Sequence, residues 1–129
     1  MSNVLNVSEA ASLALHAAAL LACNPEGPVT TREIAERLGA SEAHLSKVLQ
    51  RLVKEGLLRS MRGQKGGFVL ARQASRISLL DLYKSIEGPL LLSKCLFGRR
   101  ICSGEGCILG GFLETVSRDL REYMAGTKL

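Results

Sequence analysis

Apolar positions recur at helical spacing along most of the chain and give way once to a short alternating stretch. From residue 7 to 22 nearly every position is apolar, and Asn6 with Glu9 supplies an N-cap and its partner, so the pattern predicts a first helix that Asn24 and Pro25 end. So wide an apolar surface predicts cover on more than one side. Thr30 and Glu33 have capping-box spacing ahead of Ile34, Ala35 and Leu38, and Gly39 closes that short helix. Ser41 caps the next, over residues 41–55, where Leu45, Val48, Leu49, Leu52 and Val53 form one buried stripe that stops at Gly56. Ala43, Lys47, Gln50 and Lys54 fall on the opposite face, with His44 and Arg51 beside them. Two short capped helices around a glycine turn spell helix-turn-helix, although a plain helical hairpin has the same outline.

Residues 57–61 and 68–70 then read as two strands joined by Arg62-Gly63-Gln64-Lys65-Gly66-Gly67, whose glycines permit a tight hairpin, or wing. Ser78 caps a further helix with Leu79, Leu82, Tyr83 and Ile86 on one face, ended by Gly88 and Pro89. No period is visible between 89 and 106. From Ile108 the helical spacing returns at Leu109, Phe112, Leu113, Val116, Leu120, Tyr123 and Met124, a stripe wider than a small domain needs and suited to contact helix 1 of a second copy. The fold class expected is mostly α with a small β-wing: a winged helix-turn-helix over 1–88, a cysteine-bearing sensor loop over 89–107 and a dimerisation helix over 108–129, together one compact domain.

Charge sharpens this picture. The 129 residues carry a net +5, and residues 57–76 hold five Lys and Arg (Arg59, Arg62, Lys65, Arg72, Arg76) with no acid. Such a hairpin repels itself unless a polyanion lies against it, and a phosphate backbone beside a recognition helix is the natural partner. Base-edge contacts are expected from His44, Lys47 and Gln50, and phosphate or minor-groove contacts from Arg59, Arg62 and Lys65. Ser41, Arg51, Gly63 and Gly66 complete the expected double-stranded DNA surface. The glycine run is not a nucleotide loop, since no Gly-Lys-Ser/Thr follows and a strand comes next.

These residues also carry a resemblance. Ile34 and Ala35, the run from Leu45 to Leu52, Gly56 and Leu57, the wing Arg62-Gly63-Gln64-Lys65-Gly66-Gly67-Phe68, Leu70 and Ala71, and Ile86-Glu87-Gly88 resemble the Rrf2 family of bacterial winged-helix transcription regulators. The similarity runs from about residue 4 to the end. The Arg-Gly-x-x-Gly-Gly-aromatic wing is its most specific part.

Candidate chemistry lies in the aperiodic segment, where Cys95, Cys102 and Cys107 fall within thirteen residues beside Arg99 and Arg100. Neighbouring guanidinium groups favour thiolates, and soft thiolates favour an iron–sulfur cluster or zinc over hard cations. The family resemblance implies the former, because several Rrf2 regulators hold a [2Fe-2S] or [4Fe-4S] cluster on three cysteines of this loop. It also implies a fourth ligand. Some members use a histidine three residues past the last cysteine, where this chain has Gly110, and others an acidic residue of the first helix, reaching over from the other subunit. The best-aligned position here is Ser12, with Glu9 and His16 about a turn to either side. Members that discriminate between sequences use an acidic residue in the recognition helix, where this chain has Ser46.

The lone Cys23 is expected as packing. No cation precedes Arg32 and the apolar run at 10–23 is too short to span a bilayer, so a cytoplasmic protein with no membrane partner is expected. Without a paired His/carboxylate or nucleophile–base constellation, an enzyme is not expected. The resulting expectation is a homodimeric, sequence-specific repressor governed by its cluster. The alternatives are a metal-free thiol switch on the same cysteines and a winged-helix module that binds an acidic protein.

Overall fold

The computed structural model describes residues 7–64, 66–90, 108–109 and 111–129. The chain runs α1 (Glu9–Ala22), α2 (Thr31–Leu38), α3 (Glu42–Lys54), β1 (Leu58–Met61), β2 (Gly67–Leu70), a 3-10 turn (Ala74–Arg76), α4 (Leu79–Glu87) and α5 (Phe112–Gly126). Among the described residues it is a helical fold with one two-stranded antiparallel sheet, the winged helix-turn-helix expected.

The caps explain where most elements begin. The Thr30 hydroxyl accepts from the Glu33 amide and Ser41 from the His44 amide. Ser78 and Asp81 form a reciprocal capping box, each side chain bonding the other's amide at 3.0 Å. α1 departs from the expectation. Its N-cap is Ser8, whose hydroxyl accepts from the Ala11 amide at 3.0 Å, and it starts at Glu9 rather than at residue 7. Asn6 lies outside the described residues.

α3 ends in a Schellman closure, the Gly56 amide donating to the Val53 carbonyl and the Leu57 amide to the Leu52 carbonyl, both at 3.0 Å. Gly56 adopts φ +79°, which a side chain would disfavour. Because the Leu57 amide is used in this closure, β1 starts one residue later than the alternation predicts. The strands pair Leu58 with Leu70, Arg59 with Val69, Ser60 with Phe68 and Met61 with Gly67.

Val29 adds a third rung that the sequence did not reveal, exchanging backbone hydrogen bonds with Phe68 at 3.2 and 2.9 Å. It ties the root of the wing to the segment before α2.

α1 occupies the centre, packed by α2, α3, α4 and β2 of its own chain. Its Ala14, Ala17, Ala18 and Leu21 join Ile34, Leu45, Leu49, Leu52, Leu58, Ile77 and Leu82 in the main core. Each fully buried leucine or isoleucine contributes roughly 1.5–3 kcal/mol, so the inner face of α3 is firmly held. A second, smaller core forms where α5 folds onto α4, with Leu80, Tyr83, Leu90 and Met124 buried and Leu79 and Leu120 against them.

α5 begins at Phe112 rather than at Ile108, for the glycines at 110 and 111 oppose helix there. Its wide stripe is split: Leu113 and Met124 are buried, whereas Phe112 and Tyr123 are 62% and 65% exposed. After α5 the chain returns to α4, the Leu79 amide donating to the Thr127 carbonyl and the Leu129 amide to the Ile77 carbonyl.

Candidate functional site

Burial of Leu45, Val48, Leu49 and Leu52 turns the other side of α3 outwards, so Ala43, Lys47, Gln50 and Lys54 are exposed. Ser41 is exposed at the N-cap and His44 is half-buried. β1 follows α3 directly and leaves Arg59 exposed, with Arg62 and Gly63 exposed at the hairpin turn. Lys65 lies outside the described residues.

The wing glycines are dictated by crowding as well as by the turn. The Gly66 amide bonds the Gly63 carbonyl at 3.0 Å, and a Cβ on Gly66 would stand 2.7 Å from the Met61 carbonyl oxygen. A Cβ on Gly67, at φ +143°, would stand 2.5 Å from the carbonyl oxygen of Val29. Only glycine lets three backbone segments meet there, beside the turn that carries the exposed Arg62.

Arg51, expected among the DNA contacts, is exposed and uses its Nε within the protein. Its Nε donates to the Ser85 carbonyl at 3.0 Å, with Glu55 Oε1 at 3.7 Å. The sequence held a clue to this bond in Pro89, which cannot offer Ser85 the amide that would continue the helix. Near the same end of α4, burial pushes the Tyr83 hydroxyl above its usual pKa, and the Glu87 carboxylate adds to the shift.

Cys95, Cys102 and Cys107 lie outside the described residues, so the expected cluster ligands can be followed only on α1. Glu9 and His16 are exposed and Ser12 is half-buried. His16 Nδ1 lies 2.7 Å from the Ser12 carbonyl oxygen, with the Ser12 hydroxyl at 3.4 Å. A carbonyl can only accept, so Nδ1 is the donor here and Nε2 is the ring nitrogen through which a metal could be ligated. Ser12 and His16 line a cleft of about 190 Å³ with Leu13 and Leu38. Among the described residues no three His, Cys, Asp or Glu side chains already form a metal-sized group. Cys23, expected as packing, is exposed as the C-cap residue of α1, because the helix ends there and turns its last position outwards.

Known proteins agree with this architecture. The Rrf2 family profile, described as iron-dependent transcriptional regulator, matches residues 7–129. The chain is 30% identical over 105 residues to the HTH-type transcriptional regulator IscR of Xenorhabdus nematophila, covering 81% of this chain and 63% of that one. IscR of Serratia proteamaculans is 34% identical over 102 residues, 78% of this chain and 59% of that one. The chain thus spans about three fifths of the length of these curated relatives. Among solved structures, CymR, the global cysteine regulator of B. subtilis, superposes with a TM-score of 0.78 at 25% identity, over 96% of this chain and 92% of that one. IscR of T. potens superposes with a TM-score of 0.74 at 30% identity, over 96% and 82%. The family and these relatives are regulators rather than enzymes. With a capped helix pair, a glycine-locked wing and a profile match over nearly all of its length, the chain belongs to the Rrf2 family of winged-helix transcriptional regulators.

Proposed function

We propose that the protein is a cytoplasmic, homodimeric, sequence-specific DNA-binding repressor whose grip on its operator is set by an iron–sulfur cluster on Cys95, Cys102 and Cys107. The observation that carries the DNA-binding part is the pairing of α3, apolar side sunk and polar side bare, with a wing that has Arg59 and Arg62 exposed and no acid in its sequence. Cations on the wing gain from displacing counterions along the phosphate backbone, whatever the sequence. Lys47 and Gln50 have the donors and acceptors to read guanine and adenine edges in the major groove.

The division of labour follows the chain: residues 1–88 bind DNA, 89–107 sense, and 108–129 hold the second copy. Phe112 and Tyr123, eleven residues and three helical turns apart, share one side of α5, and with Ile108 they leave an apolar surface for that partner. No helix among the described residues is long and apolar enough to cross a membrane.

The donor chemistry fits a cluster. Three cysteines beside two arginines supply soft thiolates in a cationic setting, and the lone pair on His16 Nε2 offers a fourth, nitrogen ligand. Glu9 and Ser12 are the other candidates for that fourth position. A bound cluster would supply a redox- and ligand-sensitive change of charge on the cysteine-bearing segment. The chain's part is to translate that change into the spacing of two recognition helices.

Two measurements test the reading. In binding titrations with duplex from the gene's own upstream region, Arg62→Ala weakens affinity on all sequences and makes the salt dependence shallower by about one unit of log–log slope. Gln50→Ala acts at one base position, by about 1–3 kcal/mol. An Arg62→Ala variant with unchanged affinity and slope would remove the wing from the interface. Anaerobic isolation gives a brown protein whose visible absorbance disappears in Cys102→Ala. Colourless protein with neither iron nor sulfide would remove the cluster, whereas the thiol switch needs neither.

A further inference from the structure

Pro89 has no backbone N–H, so the carbonyl of Ser85, four residues earlier, cannot receive the amide that would extend α4. Ser85 is only 7% exposed, and a buried carbonyl without a donor is costly. The missing donor comes from the recognition helix: Arg51 Nε lies 3.0 Å from this oxygen. A cation at the C-terminal end of a helix is also favoured by the helix dipole. Two residues on, the Glu87 carboxylate accepts the hydroxyl proton of Ser8, the N-cap of α1. One turn of α4 is thus bonded on one side to α3 and on the other to the start of the helix that carries Glu9, Ser12 and His16.

We propose that Arg51 is a positioning residue for DNA recognition rather than a DNA contact, and that the turn holding Ser85 and Glu87 passes movements of the α1 N-terminus to α3. This rests on the DNA-binding function above. Arg51 stands one turn beyond Lys47 and next to Gln50, so its bond to Ser85 adds a restraint on the polar side of α3 to the rotation that its buried face already limits. Rotating α3 displaces Lys47 and Gln50 from base edges and leaves the arginines of the wing on phosphate. Discrimination between sequences therefore depends on this bond more than general affinity does.

The test titrates the full chain, across salt concentrations, with duplex from its own upstream region and with unrelated duplex of equal length. The variants are Arg51→Gln, Ser8→Asp and Glu87→Ala. Ser8→Asp retains an N-capping oxygen but sets a carboxylate against Glu87. Each variant is expected to lose about tenfold of the preference for the upstream duplex, with affinity for unrelated duplex and salt slope unchanged. If Arg51→Gln weakens both duplexes equally and flattens the slope, Arg51 is a phosphate contact and the proposal is wrong. If Ser8→Asp and Glu87→Ala keep the full preference, the turn transmits nothing. Hydrogen exchange on the free protein reads the same coupling without DNA. Faster exchange of α3 amides is expected in all three variants, and unchanged protection in Ser8→Asp and Glu87→Ala would overturn the proposal. Should the unaltered chain bind neither duplex, the DNA-binding function fails, and the exchange measurement still decides the coupling.

Discussion

At Gly67 the backbone of β2 passes Val29 so closely that a methyl group has nowhere to go, and the positive φ adds its own penalty. Gly67→Ala is expected to lower stability by about 2–3 kcal/mol in denaturant titrations, more than the loss of any exposed wing cation. Tyr83 bears on alkaline pH. Its hydroxyl holds its proton more tightly in the folded chain than at the usual 10.0, so the unfolded chain ionises first. Stability is full below pH 10 and falls as pH rises beyond it, and Tyr83→Phe should flatten that fall in unfolding measured between pH 9 and about 11. Residues that act on near neighbours were legible in the sequence, as Thr30, Ser41 and Ser78 all cap where their spacing indicates. Ser8 was mistaken for a helical residue behind Asn6 because either can cap, and its bond to Glu87 spans 79 positions. The bond between Arg51 and the Ser85 carbonyl was hidden for a similar reason, since 34 positions separate the two residues.

Among the elements, those with a clear period were legible apart from the starts of α1 and α5, and α3 most of all, since its stripe and both of its ends are written locally. The third rung of the wing was not, because a single residue such as Val29 has no period to show. α4 is held at both ends by side chains. Removing the hydroxyl half of the capping box at its start by Ser78→Ala is expected to cost about 1 kcal/mol in thermal or chemical unfolding. The effect should extend to the C-terminal residues, because the Leu79 amide in the first turn of α4 holds the Thr127 carbonyl. Faster exchange of that amide in the variant would show it.

In the whole molecule, the helix-turn-helix and wing share one core with α1, α5 packs on α4 in a smaller one, and Leu129 beyond it lies against the main core. The width of the α5 stripe was legible in the sequence. Its division between a buried edge and a bare one was not, since spacing alone does not say which neighbour covers which edge. The cysteines at 95, 102 and 107 lie outside the described residues, and the expectation placed on them is tested by the iron and sulfide content of the isolated protein. If the bare edge joins two copies, Phe112→Asp should give a monomer in sedimentation with helix content unchanged by circular dichroism, and a dimer that persists would place the interface elsewhere. The chain has no tryptophan and two tyrosines, Tyr83 sealed between α4 and α5 and Tyr123 on the open side of α5. Its ultraviolet emission therefore comes from one shielded and one accessible phenol. Iodide can extinguish only the second, so a fall in quenching with rising concentration would report self-association without any label.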